Sequence, residues 1–364
     1  MGSGCSSEPQ VVPISNNTHS VQSVGGEIFI ANKVERSKSL TLDEELYFGV
    51  YMSWDDLKLG EEIGKGNHGV VYKGHINEIR VAIKTLDYEP DKKKQVERDF
   101  TREIDIISQI SHPNIVRFLG AVQEVPRFCF VMEYCEGNVE SFLQMVSETG
   151  VIITWDLLLN IALGAARAIA YLHGLDPQVL HRDIKPSNLL LTNDFVVKVT
   201  DFGLSRMVDG GSRRMTKCGS MFWIAPEIIR GDAYDSAVDV YSFGMSIWGI
   251  FNFKKPFEGE DPEQLPYLVA VKKSRPDMGE IPSYLTKLVQ QCWADDPSTR
   301  PAFEDIVDYI QDASSHMDPS KQVDIPINTR KTVPPPPTAN STAAHIQQQE
   351  PQQQVSTAEP TSRQ

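Results

Sequence analysis

Val179-Leu180-His181-Arg182-Asp183-Ile184-Lys185-Pro186-Ser187-Asn188-Leu189-Leu190-Leu191, followed by Asp201-Phe202-Gly203, is the stretch whose reading decides the fold. Asp183, Lys185 and Asn188 set a carboxylate, an ammonium and an amide close together, and Asp201 adds a second carboxylate beyond a hydrophobic run. The apolar, β-branched runs Leu189–Leu191 and Phe195–Val199 read as two short strands joined at Thr192-Asn193-Asp194. Such a hairpin returns the chain, so that Asn188 and Asp201 face one metal ion and Asp183 stands farther off, towards a substrate hydroxyl. Oxygen ligands for Mg²⁺ and a carboxylate that accepts a hydroxyl proton are what phosphoryl transfer requires.

His-Arg-Asp-x-Lys-x-x-Asn followed by Asp-Phe-Gly resembles the signature of protein kinases. The resemblance runs from Leu57 to about Ile310. It implies an α+β, bilobal fold with a small β-rich N-lobe carrying one main helix (57–133) and a larger helical C-lobe (138–312). The nucleotide cleft is then expected between the lobes.

Upstream motifs agree in order and context. Leu57–Gly60 alternates as a strand does, and Gly64-Lys65-Gly66-Asn67-His68-Gly69 follows. Dinucleotide-binding folds also use this glycine spacing, but there a helix comes next, whereas here the chain continues as Val70-Val71-Tyr72-Lys73, a strand pattern. A strand–turn–strand flap suits a loop whose backbone N–H groups approach phosphates closely. His68 stands at the expected loop tip, where kinases often carry an aromatic residue. Lys84 lies on the apolar strand Val81-Ala82-Ile83-Lys84, where an unpaired ammonium is costly. Helical spacing of Val96, Phe100, Ile104 and Ile107 predicts the next helix. The resemblance gives Glu103 on that helix as the partner of Lys84, with Glu97 and Asp105 as alternatives. It also makes Glu133-Tyr134-Cys135-Glu136-Gly137 the hinge that holds adenine, Met132 the residue narrowing the back pocket, and Val71, Ala82 and Leu190 the walls around the base. Read without the resemblance, Cys135 is a small buried thiol.

By the same resemblance, ATP and Mg²⁺ are the expected cofactors. Lys84 and the Gly64–Gly69 loop hold the nucleotide, Asn188 and Asp201 the metal; Asp183 accepts the proton and Lys185 steadies the moving phosphate. A lysine at Lys185 implies serine and threonine acceptors on protein substrates. Tyrosine or dual-specificity transfer, and a scaffold without activity, are the alternatives. Arg182 is a candidate partner for an activating phosphate, because guanidinium grips phosphate through two hydrogen bonds. Between Leu204 and Phe222, Ser205, Ser212, Thr216 and Ser220 lie near Arg213, Arg214 and Lys217, and Thr216 is the expected regulatory site. Glu227 is expected to be buried against Arg300, and Asp239 to anchor the catalytic-loop backbone. Trp223-Ile224 and the Cys292-Trp293…Asp296-Pro297…Arg300-Pro301 run resemble the tyrosine-kinase-like branch of serine/threonine kinases.

Composition bounds the rest. A net charge of −14 argues against a nucleic-acid-binding face, and five scattered cysteines without a Cys-x-x-Cys pair fit a reduced protein without a zinc site. No run reaches the ~20 apolar residues of a membrane span. Met1-Gly2-Ser3-Gly4-Cys5-Ser6 fits N-myristoylation at Gly2, with Cys5 as a palmitoylation site. One acyl chain anchors only marginally, so the pair points to the cytoplasmic face of a membrane. Residues 1–39 read as a disordered spacer in which Gly26–Ala31 has strand character, and 40–56 as a pre-domain segment that packs through Trp54. Residues 313–364 read as a disordered Pro/Gln-rich tail, with Pro334–Pro337 a possible SH3- or WW-type ligand.

Overall fold

The computed structural model describes residues 11–13, 20–24, 27–30, 50–66, 69–86, 93–201, 220–316, 318, 321 and 323. Gly2, Cys5, Asn67, His68, Phe202, Gly203, Thr216 and Pro334–Pro337, singled out from the sequence, lie outside the described residues. Within the segment read as a spacer, β1 (Val11–Pro13), β2 (Ser20–Val24) and β3 (Glu27–Ile30) form an antiparallel sheet. Val24 pairs with Glu27, and the strand character expected of Gly26–Ala31 falls on Glu27–Ile30.

The N-lobe is a five-stranded antiparallel sheet of β4 (Leu57–Gly66), β5 (Gly69–Ile76), β6 (Ile79–Leu86), β7 (Phe118–Glu124) and β8 (Arg127–Glu133), in the order β4-β5-β6-β8-β7. Helix α1 (Lys93–Ile107) crosses it and buries Phe100, Glu103 and Ile104. Residues three and four apart share one face of a helix, so Phe100, Glu103 and Ile104 turn inward together. Phe100 meets Phe130 at 4.6 Å and Phe128 at 5.3 Å between ring centroids.

After β9 (Gly137–Asn138) the chain becomes helical: α2 (Val139–Thr149), α3 (Trp155–His173), α4 (Pro226–Arg230), α5 (Ala237–Asn252), α6 (Leu265–Ala270), α7 (Ser283–Cys292) and α8 (Phe303–Ser315). Asn138 caps α2 by accepting the Ser141 N–H at 2.8 Å, and Gly150 ends it in the left-handed region. Helix α3 is apolar and long enough to cross a membrane, but it is the core helix of this lobe, with Leu158, Ile161, Ala166 and Ile169 all buried. The hairpin of β10 (Leu189–Leu191) and β11 (Val197–Val199) packs against it. The second strand is shorter than the run Phe195–Val199 suggested, because Phe195 takes a positive φ of 56° as the turn closes.

The C-lobe does not stop at residue 312. Helix α8 continues to Ser315, and two later residues are tied to the lobe. Trp155 N–H donates to the Lys321 carbonyl at 3.1 Å, and Val323 N–H donates to the Ile153 carbonyl at 2.9 Å. Trp155 N–H is one of the amides that the start of α3 leaves without an intrahelical acceptor. Val323 is 5% exposed and belongs to the main hydrophobic cluster. Val323→Asp is therefore expected to destabilise the domain by about 2 kcal/mol or more, since it puts a charge into an apolar site. Urea unfolding measures this, and a change within ~0.5 kcal/mol would show that Val323 is a surface residue.

Candidate active site

The loop from His181 to Asn188 rests on a buried acid. Asp239, on α5, is fully buried, and its Oδ2 accepts the His181 N–H at 2.8 Å while Oδ1 accepts the Arg182 N–H at 2.7 Å. His173 Nε2 lies 2.8 Å from the same Oδ2. Arg182 is held at φ 67°, a left-handed conformation that costs an L-residue energy. His181 is buried, and its Nδ1 accepts the Asp183 N–H at 3.2 Å while Nε2 faces the Thr200 carbonyl at 3.0 Å. Those two partners require the Nε2–H tautomer. His181 thereby joins the backbone of Asp183 to the residue preceding Asp201.

The hairpin register does the rest. Leu189 pairs with Val199, and the Thr200 N–H donates to the Asn188 carbonyl at 3.1 Å, which brings Asn188 beside the strand end that carries Asp201. Asp183 Oδ2 accepts from Lys185 Nζ at 2.6 Å and from Asn188 Nδ2 at 2.9 Å. Asn188 Nδ2 also reaches the Asp183 carbonyl at 2.7 Å. With its amide nitrogen engaged, Asn188 presents its oxygen as the remaining donor atom. An amide oxygen and the Asp201 carboxylate are the hard donors that Mg²⁺ takes, alongside water and phosphate.

Lys84 is 7% exposed and pairs with Asp201. Burial pushes the Asp201 carboxyl up, but the Lys84 ammonium, helped by Lys185, outweighs it and holds the group below the usual carboxylate range. Glu103, the partner expected from the resemblance, is buried on α1 at 3% exposure, beside the cluster that backs Lys84. Of the alternatives, Asp105 is exposed and Glu97 lies 3.8 Å from Lys93, one turn away on the same helix.

Sheet register places the expected nucleotide contacts on one face. Val71 pairs with Lys84, and Ala82 with Met132. Cross-strand partners and residues two apart share a face, so Val71, Ala82, Lys84 and Met132 line the same side of the sheet. Gly64, Lys65 and Gly66 end β4, and Gly69 opens β5 at φ 138°. A Cβ on Gly69 would sit 1.7 Å from the Thr85 carbonyl oxygen, so only glycine fits there. Leu190 comes from β10, whose neighbour Leu191 pairs with Gly137 just past the hinge. The Glu133 side chain is engaged elsewhere, accepting the Arg117 N–H at 2.7 Å and Lys198 Nζ at 2.8 Å. Cys135 is buried and its thiol is pushed up to about 12, first by burial and then by Glu133, which fits the inert structural reading.

Glu227 and Arg300 form the expected buried pair, with two parallel bonds of 2.6 and 2.9 Å. Two residues escaped the sequence reading. Ser242 Oγ donates to the Trp223 carbonyl at 2.8 Å, and Ser246 Oγ to the Ile184 carbonyl at 3.3 Å. With Asp239 they make a polar column on an otherwise apolar helix, and that spacing was the signal available.

The sequence model described as protein kinase domain matches residues 57–310. The chain belongs to the protein kinase family. It is 36% identical over 263 residues to a candidate serine/threonine-protein kinase/receptor, R818, of Acanthamoeba polyphaga mimivirus, covering 72% of this chain and 15% of that one. It is 35% identical over 267 residues to the probable serine/threonine-protein kinase drkA of Dictyostelium discoideum, covering 72% and 41%. It is 34% identical over 260 residues to the serine/threonine/tyrosine-protein kinase HT1 of Arabidopsis thaliana, covering 70% and 66%. The matched stretch is thus less than two thirds of each of these relatives.

A depressed folded-state pKa means that Asp201 stabilises the fold above its unfolded value of about 3.9, and that this contribution is lost as pH falls through the lower folded value. Lys84→Met removes the cation responsible. The stability gap between wild type and variant is expected to be widest near neutrality and to narrow below about pH 4. Unfolding in urea across that range checks it, and a gap that stays constant would contradict the assignment. Arg300→Leu leaves Glu227 buried without its partner and is expected to cost about 3–5 kcal/mol in the same measurement.

Proposed function

We propose that the chain is a protein kinase that transfers the γ-phosphoryl of Mg-ATP to serine and threonine hydroxyls of proteins. The observation that carries this reading is the geometry at Asp183. Its carboxylate is oriented by Lys185 and Asn188 within a loop pinned from below by Asp239, and Asp201 stands beside Asn188 across the hairpin end.

Bound Mg-ATP supplies the transferable phosphoryl group and the charge that polarises it. Asn188 Oδ1 and Asp201 are the residues that would hold the metal, and Lys84 and the glycine loop the phosphates. Asp183 orients the acceptor hydroxyl and takes its proton on carboxylate oxygen, which fits a group held by two donors and still partly exposed. Lys185, bonded to that carboxylate at 2.6 Å, sets a positive charge where phosphoryl charge shifts towards the acceptor. The sheet face of Val71, Ala82 and Met132 gives an apolar surface for a flat base, and the buried β6–β8 ladder keeps it rigid.

Transfer to tyrosine as well is the second reading, favoured by the name serine/threonine/tyrosine-protein kinase that HT1 carries. A scaffold without activity is disfavoured, since Lys84, Asp183 and Asp201 are all present.

Asp183→Asn keeps the shape and removes the base, so kcat for casein phosphorylation is expected to drop by about 10²-fold or more with the KM for ATP little changed. Equal rates for wild type and variant would refute the assignment of Asp183. Phosphoamino-acid analysis of the product separates the hydroxyl classes: phosphoserine and phosphothreonine alone support the first reading, and added phosphotyrosine supports the second.

A further inference from the structure

The segment Val50–Trp54 precedes the first residue matched by the kinase-domain sequence model, yet it is built into the N-lobe. Strand β7 ends the five-stranded sheet, so its outer edge offers backbone groups that need partners. The segment supplies them. Ala121 N–H donates to the Val50 carbonyl at 2.9 Å, Met52 N–H donates to the Ala121 carbonyl at 2.9 Å, and Tyr51 bridges Ala121 in parallel sense. Trp54 N–H donates to Glu124 Oε1 at 3.0 Å, and the Arg127 guanidinium lies 4.7 Å from the Trp54 ring centroid.

A second observation gives this contact a direction. Val50 packs against the cluster of Phe100, Ile104, Ala121, Phe128 and Phe130. Phe100 and Ile104 flank Glu103 on α1, and Phe130 pairs directly across from Lys84. One hydrophobic cluster therefore joins the segment, the helix carrying Glu103 and the strand carrying Lys84.

We propose that Val50–Trp54 is a positioning segment: by closing the edge of β7 and seating Val50, it sets where α1, and with it Glu103, stands relative to Lys84. Close-packed interiors do not absorb the loss of one member smoothly, so unseating Val50 shifts Phe100 and Ile104 rather than leaving them in place. The chain before residue 50 thereby has a mechanical route to the site through five residues. The catalytic consequence rests on the kinase reading above; the structural coupling does not.

The test uses the full chain with Met52→Pro, which deletes the N–H that bonds Ala121, with Val50→Asp, which charges the cluster, and with Val50→Ile as the conservative control. Amide exchange over residues 93–107 and steady-state kinetics with Mg-ATP and casein are the readouts. Met52→Pro and Val50→Asp are expected to speed exchange in α1 and lower kcat, each by about tenfold, with the KM for casein within about twofold of wild type. Val50→Ile is expected to match wild type in both. Unchanged α1 exchange in Met52→Pro overturns the proposal, even if activity falls. A wild type that transfers no phosphate sinks the kinase reading instead, and α1 exchange alone then decides the coupling.

Discussion

The buried carboxylate of Asp239 is the constraint on which the site depends. An ionised group shielded from water by α5 and its neighbours costs several kcal/mol unless its oxygens are satisfied. Here they are satisfied by the backbone N–H groups of His181 and Arg182 and by the His173 ring. A hydrogen bond to a charged group contributes about 1.5–3 kcal/mol net, and leaving the buried carboxylate without one costs at least as much, so these contacts hold the loop. The same contacts sustain Arg182 at a positive φ that it would otherwise abandon. Two turns along α5, Ser246 reaches the Ile184 carbonyl, and between them Ser242 reaches that of Trp223. A single helix thus fixes both the His181–Asn188 loop and the segment that enters α4.

What the sequence disclosed follows the range of the signal. The β10–β11 hairpin and the strand after Gly69 are written in local periodicity and turn chemistry, and both form there, with the second hairpin strand shortened to Val197–Val199. The positions of Asp183, Asn188 and Asp201 followed, because a short hairpin leaves little freedom between its ends. Partner choice at longer range was not legible. The contact between Lys84 and Asp201 depends on how the hairpin sits against β6, which no local pattern encodes.

The chain flanking the matched domain shows the same limit: packing through Trp54 is expected from the sequence, whereas the ties at Lys321 and Val323 are not. Residues 50–54 and 321–323 have no strong periodicity of their own, and their order comes from the surfaces they cover. Val50 completes an aromatic cluster, and Val323 fills the main C-lobe core while Lys321 satisfies an orphan amide at the start of α3. Each segment is too short to fold alone; each removes an unsatisfied edge or terminus from the domain. Boundaries drawn where a motif pattern ends therefore fall short of where the packed body ends.

The electrostatic arrangement of the site has one further consequence. Asp201 carries a positive φ of 63°, and its charge is maintained against burial mainly by Lys84. Asp183 is likewise engaged by Lys185, and Asn188 binds Asp183 rather than standing free. The site is therefore internally neutralised: each acid already has a cation or an amide donor at hand, so neither carboxylate is left buried and uncompensated. A cation arriving at Asp201 competes with Lys84 for the same oxygens, and an anion arriving with it offers Lys84 another partner. The groups that neutralise one another here are thus the ones that a metal–phosphate pair would separate and satisfy together.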